Sequence, residues 1–188
     1  IHGVPEEKIK QMEEKMVRTM EYLKQELHSL RTGRANPSLL DRIVVNYYGT
    51  DTPLNQLATV SAPESRMLMI QPYDKSAMGA IEKAILTSDL SLNPNNDGKV
   101  IRLNLPMLTE ENRRDLTKVA KKIGEDQKVA IRNERRAAND ILKKMEKDKE
   151  CTEDELKQYE KIVQEITDKY IKEIDETIDA KTVEIMEV

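Results

Sequence analysis

The chain of 188 residues has no Phe, no Trp, one Cys and two His. Six Tyr are then its whole aromatic surface, which argues against binding by stacking unpaired bases along a platform. With Cys151 alone, no internal disulfide can form and a reducing compartment is expected. His2, His28 and Cys151 do not have the spacing of a zinc site, no glycine-rich phosphate loop is present, and no metal or other cofactor is expected. His28 reads as an exposed or capping residue near the end of a helix, and Cys151 has no nearby His to make it a nucleophile. No apolar run approaches the roughly 18 residues of a membrane span, and Ile1-His2-Gly3-Val4 lacks the features of a secretory signal, so no membrane partner is expected.

What is present is charge. Charged residues make up 35% of the chain and hydrophobic ones 38%, a balance suited to long solvated helices rather than to a deeply buried α/β enzyme. The net charge of −4 hides an asymmetry. Residues 106–150 carry 13 basic and 10 acidic side chains, whereas residues 151–188 carry 5 and 12.

Three segments have helical periodicity. Ile9, Met12, Met16, Met20, Leu23, Leu27 and Leu30 recur at steps of three and four after Pro5, a good first-turn residue followed by Glu6 and Glu7. Residues 109–149 read as one helix of roughly 60 Å at 1.5 Å per residue. On it, Leu116, Val119, Ile123, Ala130, Ala137, Ile141 and Met145 fall within an arc of about 80°. Glu134 projects onto that apolar arc, where it either snorkels to solvent or pairs with a basic residue of a neighbouring helix. Thr152-Glu153-Asp154-Glu155 is a capping box that starts a third helix, with Leu156, Tyr159, Val163, Ile166, Tyr170, Ile174 and Ile178 along its seam. Three such helices predict an elongated antiparallel bundle.

Between the first two helices the pattern changes. Ile43–Tyr48, Leu54–Val60, Met67–Gln71 and Ile101–Leu105 read as strands, Lys75–Thr87 as a helix, and Asn93–Gly98 as a turn cluster. The expected class is α+β: a bundle of residues 1–30 and 106–188 with a small β/α/β domain, 31–105, inserted into it. Two short connections, through Arg31, Thr32 and Gly33 and through Leu105, Pro106 and Met107, make either a hinge or a rigid interface.

The functional candidate is the second face of the long helix. Arg114, Lys118, Lys121, Lys128, Arg132, Arg135, Arg136 and Lys143 lie nearly opposite the apolar arc, with Glu125 as the main acidic interruption. A run of cations is commonly a solvated surface. Here it keeps one face for over four turns, and its dense part is arginine, whose planar donor fork suits phosphate. Such a row contacts a folded RNA or DNA backbone by charge and shape rather than by base identity. Two rival readings are a coiled-coil adaptor with an unspent apolar stripe and a hydrolase using Asp51, Asp74 and Asp97.

Three stretches carry a resemblance. Leu30-Arg31-Thr32-Gly33-Arg34-Ala35-Asn36-Pro37-Ser38-Leu39-Leu40-Asp41, Pro106-Met107-Leu108-Thr109-Glu110-Glu111 with Arg113-Arg114, and Val129-Ala130-Ile131-Arg132-Asn133-Glu134-Arg135-Arg136-Ala137-Ala138-Asn139-Asp140 resemble the signatures of the ribosome recycling factor family. The similarity covers essentially the whole chain. It implies an L-shaped, two-domain, non-enzymatic factor, expected to be monomeric, that binds between ribosomal subunits after termination. With elongation factor G and GTP hydrolysis on that partner, such factors split the ribosome for reuse; the rival within this setting is an RNA-binding factor that silences the ribosome by occupying it. Carried over by position, Arg132, Arg135 and Arg136 would grip large-subunit ribosomal RNA, with Lys128, Lys121 and Lys118 on the same face. Arg31 and Arg34 would touch RNA or hold the domain junction. The compartment implied is a bacterial cytoplasm, or else an organelle matrix or stroma.

Overall fold

A computed structural model describes residues 4–187 of the chain, so His2 lies outside the described residues. In order, the elements are α1 (Val4–His28), a 3-10 turn (Pro37–Leu40), β1 (Val44–Tyr47), β2 (Thr50–Pro53), the single turn α2 (Leu54–Leu57), β3 (Ala58–Glu64), β4 (Met67–Pro72), a 3-10 turn (Lys75–Ala77), α3 (Met78–Leu86), β5 (Pro94–Asn96), β6 (Ile101–Asn104), α4 (Glu110–Lys147) and α5 (Glu153–Met186). The class is α+β. The described residues form two compact units, one from residues 4–27 and 118–182, the other from 28–117 and 183–187.

The first unit is helical. The hydroxyls of Tyr159 and Tyr170 on α5 donate to Glu6 and Glu13 on α1, so position rises together along both helices and they run parallel. Gly124 of α4 faces Ile178 while Lys128 of α4 pairs with Asp175, so α4 runs against α5. Met16, Leu23, Ile131, Leu142, Val163 and Ile174 are fully enclosed. Each such side chain contributes roughly 1.5–3 kcal/mol through removal from water.

The buried seam of α4 is not the arc read from its large apolar residues. Val119 and Ile141 are 45% and 40% exposed and Ala137 is exposed, whereas Ala120, Gly124, Ile131, Ala138, Leu142 and Met145 are buried. The seam is rotated by about 80° on a helical projection. The cause is close approach: a Cβ on Gly124 would lie 2.6 Å from Ile178 Cγ1, so only a hydrogen fits where α5 crosses. Small residues mark the contact, and a count of large apolar residues overlooks them.

The second unit holds a four-stranded antiparallel sheet, ordered β3-β4-β6-β5, and the separate hairpin β1-β2. Alternation along β4 and β6 directs Leu68, Ile70, Ile101 and Leu103 into a core shared with Ile81 and Ile85 of α3. Two readings of this region need correction. Leu54–Leu57 is one helical turn, closed by the Ala58 N–H donating to the Leu54 carbonyl, with the Leu54 side chain buried, and the strand starts only at Ala58. Within the expected turn cluster, Pro94–Asn96 pairs with β6 as an edge strand, and the turn proper is Asp97-Gly98, with Gly98 at φ +89°.

Candidate nucleic-acid interface

The cationic side chains owe their placement to the length and regularity of α4. Thr109 caps its start by accepting the Asn112 N–H at 3.0 Å. Glu110 and Glu111 occupy the first turn and Lys144 and Lys147 the last, each matching the sign that the helix dipole favours. The expected capping box of α5 is formed: Thr152 N–H donates to Glu155 Oε1 at 2.9 Å, and Glu155 N–H to Thr152 Oγ1 at 3.1 Å.

Along α4, Lys118, Lys121, Arg132 and Arg136 fall within an arc of about 60°. Lys118, Lys121 and Arg136 are exposed, and Arg132 and Arg135 are half-buried. Lys118, Lys121, Arg132 and Arg135 have no ion-pair partner among the described residues. Arg136 Nη1 donates to Asn133 Oδ1 at 2.9 Å, an i,i+3 contact within the helix that steadies the guanidinium without neutralising it.

Lys128 has different surroundings. Its ammonium pairs with Asp175 of α5 and lies 3.3 Å from Glu125 Oε1, and only 15% of its side chain is exposed. The Asp175 hydrogen bond, joined by the one to Glu125, raises its pKa despite partial burial. It is the one predicted contact residue whose charge the protein already answers. The sequence carried a partial signal, since Glu125 and Lys128 are three apart, but Asp175 is distant in the chain.

Glu134 neither snorkels nor forms an ion pair. Its Oε1 accepts the Thr19 hydroxyl of α1 at 2.8 Å, while Oε2 is buried without a partner. Burial raises its pKa; the Thr19 hydrogen bond and the charges of Lys15 and Arg18 oppose that shift.

At the connections, Arg31 Nη2 donates to the Pro106 carbonyl at 2.5 Å, which ties one segment to the other. Burial lowers the pKa of Arg31, and its Nε is enclosed without a partner. Thr32 closes a local turn on Arg34, whose side chain is exposed. Ala35 N–H donates to Ser65 O and Leu105 N–H to Arg66 O, so both segments are fastened beside the β3–β4 turn. Gly33 lies 3.3 Å, measured from its virtual Cβ, from the Glu187 carbonyl, and Met107 is exposed.

Two of the three acids of the hydrolase reading are occupied by local structure. Asp74 caps a 3-10 turn and accepts the Tyr47 hydroxyl, Asp97 accepts the Lys99 and Val100 N–H groups and pairs with Arg102, and Asp51 stands opposite Asn46 in a hairpin. Cys151 is buried, and burial with nearby Glu155, Glu146 and Glu150 raises its pKa, the reverse of an activated thiol. Among the described residues, no group of three or more His, Cys, Asp or Glu side chains could hold a metal ion, and no helix is long and apolar enough to cross a membrane.

Residues 23–186 match the family model for ribosome recycling factor. The chain belongs to the ribosome recycling factor family. Within that family, it is 60% identical over 179 residues to the ribosome-recycling factor of Alkaliphilus metalliredigens, covering 95% of this chain and 97% of that one. It is 62% identical over the same length to the factor of Alkaliphilus oremlandii, with the same coverage. A solution structure of a ribosome recycling factor superposes with a TM-score of 0.79 at 44% identity, covering 100% of both chains. A second structure describes the T. thermophilus ribosome recycling factor and E. coli elongation factor G bound to the E. coli post-termination complex. It matches with a TM-score of 0.68 at 46% identity, over 97% of this chain and 99% of that one. Protein biosynthesis and ribosome recycling are thus the setting of this ribosome recycling factor family member.

Proposed function

We propose that this chain acts as a monomeric, non-enzymatic translation factor in the bacterial cytoplasm, binding the post-termination ribosome and, with elongation factor G, splitting it into subunits. Arg132, Arg135 and Arg136, with Lys118 and Lys121, dock on large-subunit ribosomal RNA, and Lys128 holds α5 against α4 at the border of that edge. The observation that carries the reading is the arrangement of cations on α4: those on its solvent edge lack carboxylate partners, while the one nearest α5 has two. Unanswered guanidinium groups on a rigid helix suit a phosphate backbone.

The bundle domain of residues 1–30 and 106–188 would be the part held by RNA, and the inserted domain, 31–105, the part on which the GTPase partner pushes. The segments Arg31–Gly33 and Leu105–Met107 are the hinge, with the Arg31 hydrogen bond to Pro106 keeping its two strands together. Arg34, exposed beside it, holds the junction or reaches RNA. The description of a related factor together with elongation factor G on a post-termination complex supports this assignment.

Co-sedimentation with large ribosomal subunits tests it. The double reversal Arg132→Glu, Arg135→Glu lowers affinity by at least about 100-fold, because each reversal removes an attraction and adds a repulsion. Its helical circular dichroism stays at the wild-type value. Undiminished binding by a folded double variant would eliminate the RNA face.

A further inference from the structure

The apolar arc of α4 is only partly spent inside the chain. Val119 and Ile141 keep nearly half their surface, Ala137 is exposed, and Ile123 and Ala130 are half-buried. Spaced by four, seven, seven and four, these five residues keep one stripe roughly 33 Å long. Thr19 of α1 donates to Glu134 Oε1 at 2.8 Å, which sets α1 along one side of the stripe. The stripe is thus the floor of a groove between α1 and α4, within the helical unit. Ala130 and Ala137 keep that floor low, so a further helix can come close, as α5 does over Gly124.

The two rims differ in charge. On α1, Lys15 and Arg18 are exposed and near enough to Glu134 for their charges to act on its carboxyl. Neither has an ion-pair partner among the described residues. On the far rim, Lys122 pairs with Asp126 and Lys144 with Asp148, and Asp140 is exposed. The α1 rim is therefore the cationic one.

We propose that this groove takes an amphipathic helix of a protein partner, apolar along one seam and carrying Asp or Glu on the edge that faces α1. Apolar seams of three- and four-residue period pack against each other, which matches such an occupant to the floor. Lys15 and Arg18 then answer acids on its flank, as charges beside a coiled-coil seam do. An RNA backbone gains nothing from Val119 and Ile141, and a second copy would set one cation-rimmed stripe against another. The groove also faces away from the basic edge. Their mean directions about α4 differ by about 150°, so both can be occupied at once and neither assignment depends on the other.

In the test, benzoylphenylalanine replaces Ile141 in the full chain, which is irradiated in growing bacterial cells. The expected adduct joins a polypeptide at a segment with apolar residues every three or four positions and Asp or Glu beside them. Lys15→Glu with Arg18→Glu lowers its yield at least about fivefold. The charge-matched pair Lys10→Glu with Lys161→Glu, at exposed positions away from the groove, changes it by less than about 1.5-fold. New acids beside the Glu134 carboxylate cost stability. Lys15→Gln with Arg18→Gln replaces the reversal where that variant lacks native circular dichroism, with a loss of about threefold. An adduct with RNA, with a second copy or with a basic segment overturns the proposal. So does a yield indifferent to Lys15 and Arg18, or no adduct from a folded chain.

Discussion

The two units bury their residues under different constraints. In the mixed unit, strand alternation sends every second side chain of β4 and β6 inward, and the core is a cluster of aliphatic residues. In the helical unit, α4 must face α1 on one side and α5 on another. Its seam mixes Ile131 and Leu142 with Ala120, Gly124 and Ala138, and takes in the carboxylate of Glu134. A helix with two neighbours keeps only a narrow free edge, so its cations are concentrated there. The mixed unit exposes Tyr48 and Tyr73 instead.

The closest packing in the helical unit is the strongest test of this contrast. Gly124→Ala should cost about 1–3 kcal/mol by overpacking against Ile178, outweighing the helix propensity gained, near 1 kcal/mol. A lowered Tm is expected; a raised Tm would mean that the two helices have room to spare.

Next comes the distinction between paired and unpaired cations. Arg132→Ala should weaken large-subunit binding by about 5–10-fold and reduce the salt slope by about one, as loss of a phosphate contact does. Lys128→Ala should weaken it by less than about twofold, since Asp175 and Glu125 already answer that charge. Equal losses would erase the distinction.

A smaller effect is expected at Glu134. Thr19 has one hydroxyl proton, yet it faces both Glu134 Oε1 at 2.8 Å and the Lys15 carbonyl at 3.1 Å. A protonated Glu134 can donate to Thr19 and free that proton for Lys15. Burial raises the Glu134 pKa, so its contribution is fully present below the ordinary carboxylate range and is lost as pH rises through the raised value. Glu134→Gln should therefore raise Tm by about 1–3 °C at neutral pH and leave it unchanged in acid. A gain of the same size at both pH values would contradict this.

The smallest effect lies at the end of α4, where Lys149 has φ +63°. Lys149→Gly should stabilise the chain by about 0.5–1 kcal/mol in urea titrations, because glycine adopts that conformation freely. A loss would mean that the lysine side chain contributes something its backbone conformation does not reveal.

The legibility of the sequence follows the same division. The three helices, the α5 capping box and strands β1, β4 and β6 were readable because period and capping are local properties. The rotation of the α4 seam was not, since Gly124 and Ala120 signal a close approach only once Ile178 is opposite them. The edge strand at Pro94–Asn96 was hidden by turn-forming residues that find a partner only in β6. At the candidate interface, cation identity and spacing could be read directly. The neutralisation of Lys128 depends on Asp175, 47 positions later, and no local rule finds it.

The central claim is that unpaired cations on the free edge of α4 meet ribosomal phosphate. Its most direct test is the affinity for large ribosomal subunits measured across a salt series. The account predicts a log–log slope of about −3 to −4, from four or five phosphate contacts. A slope near zero would contradict it.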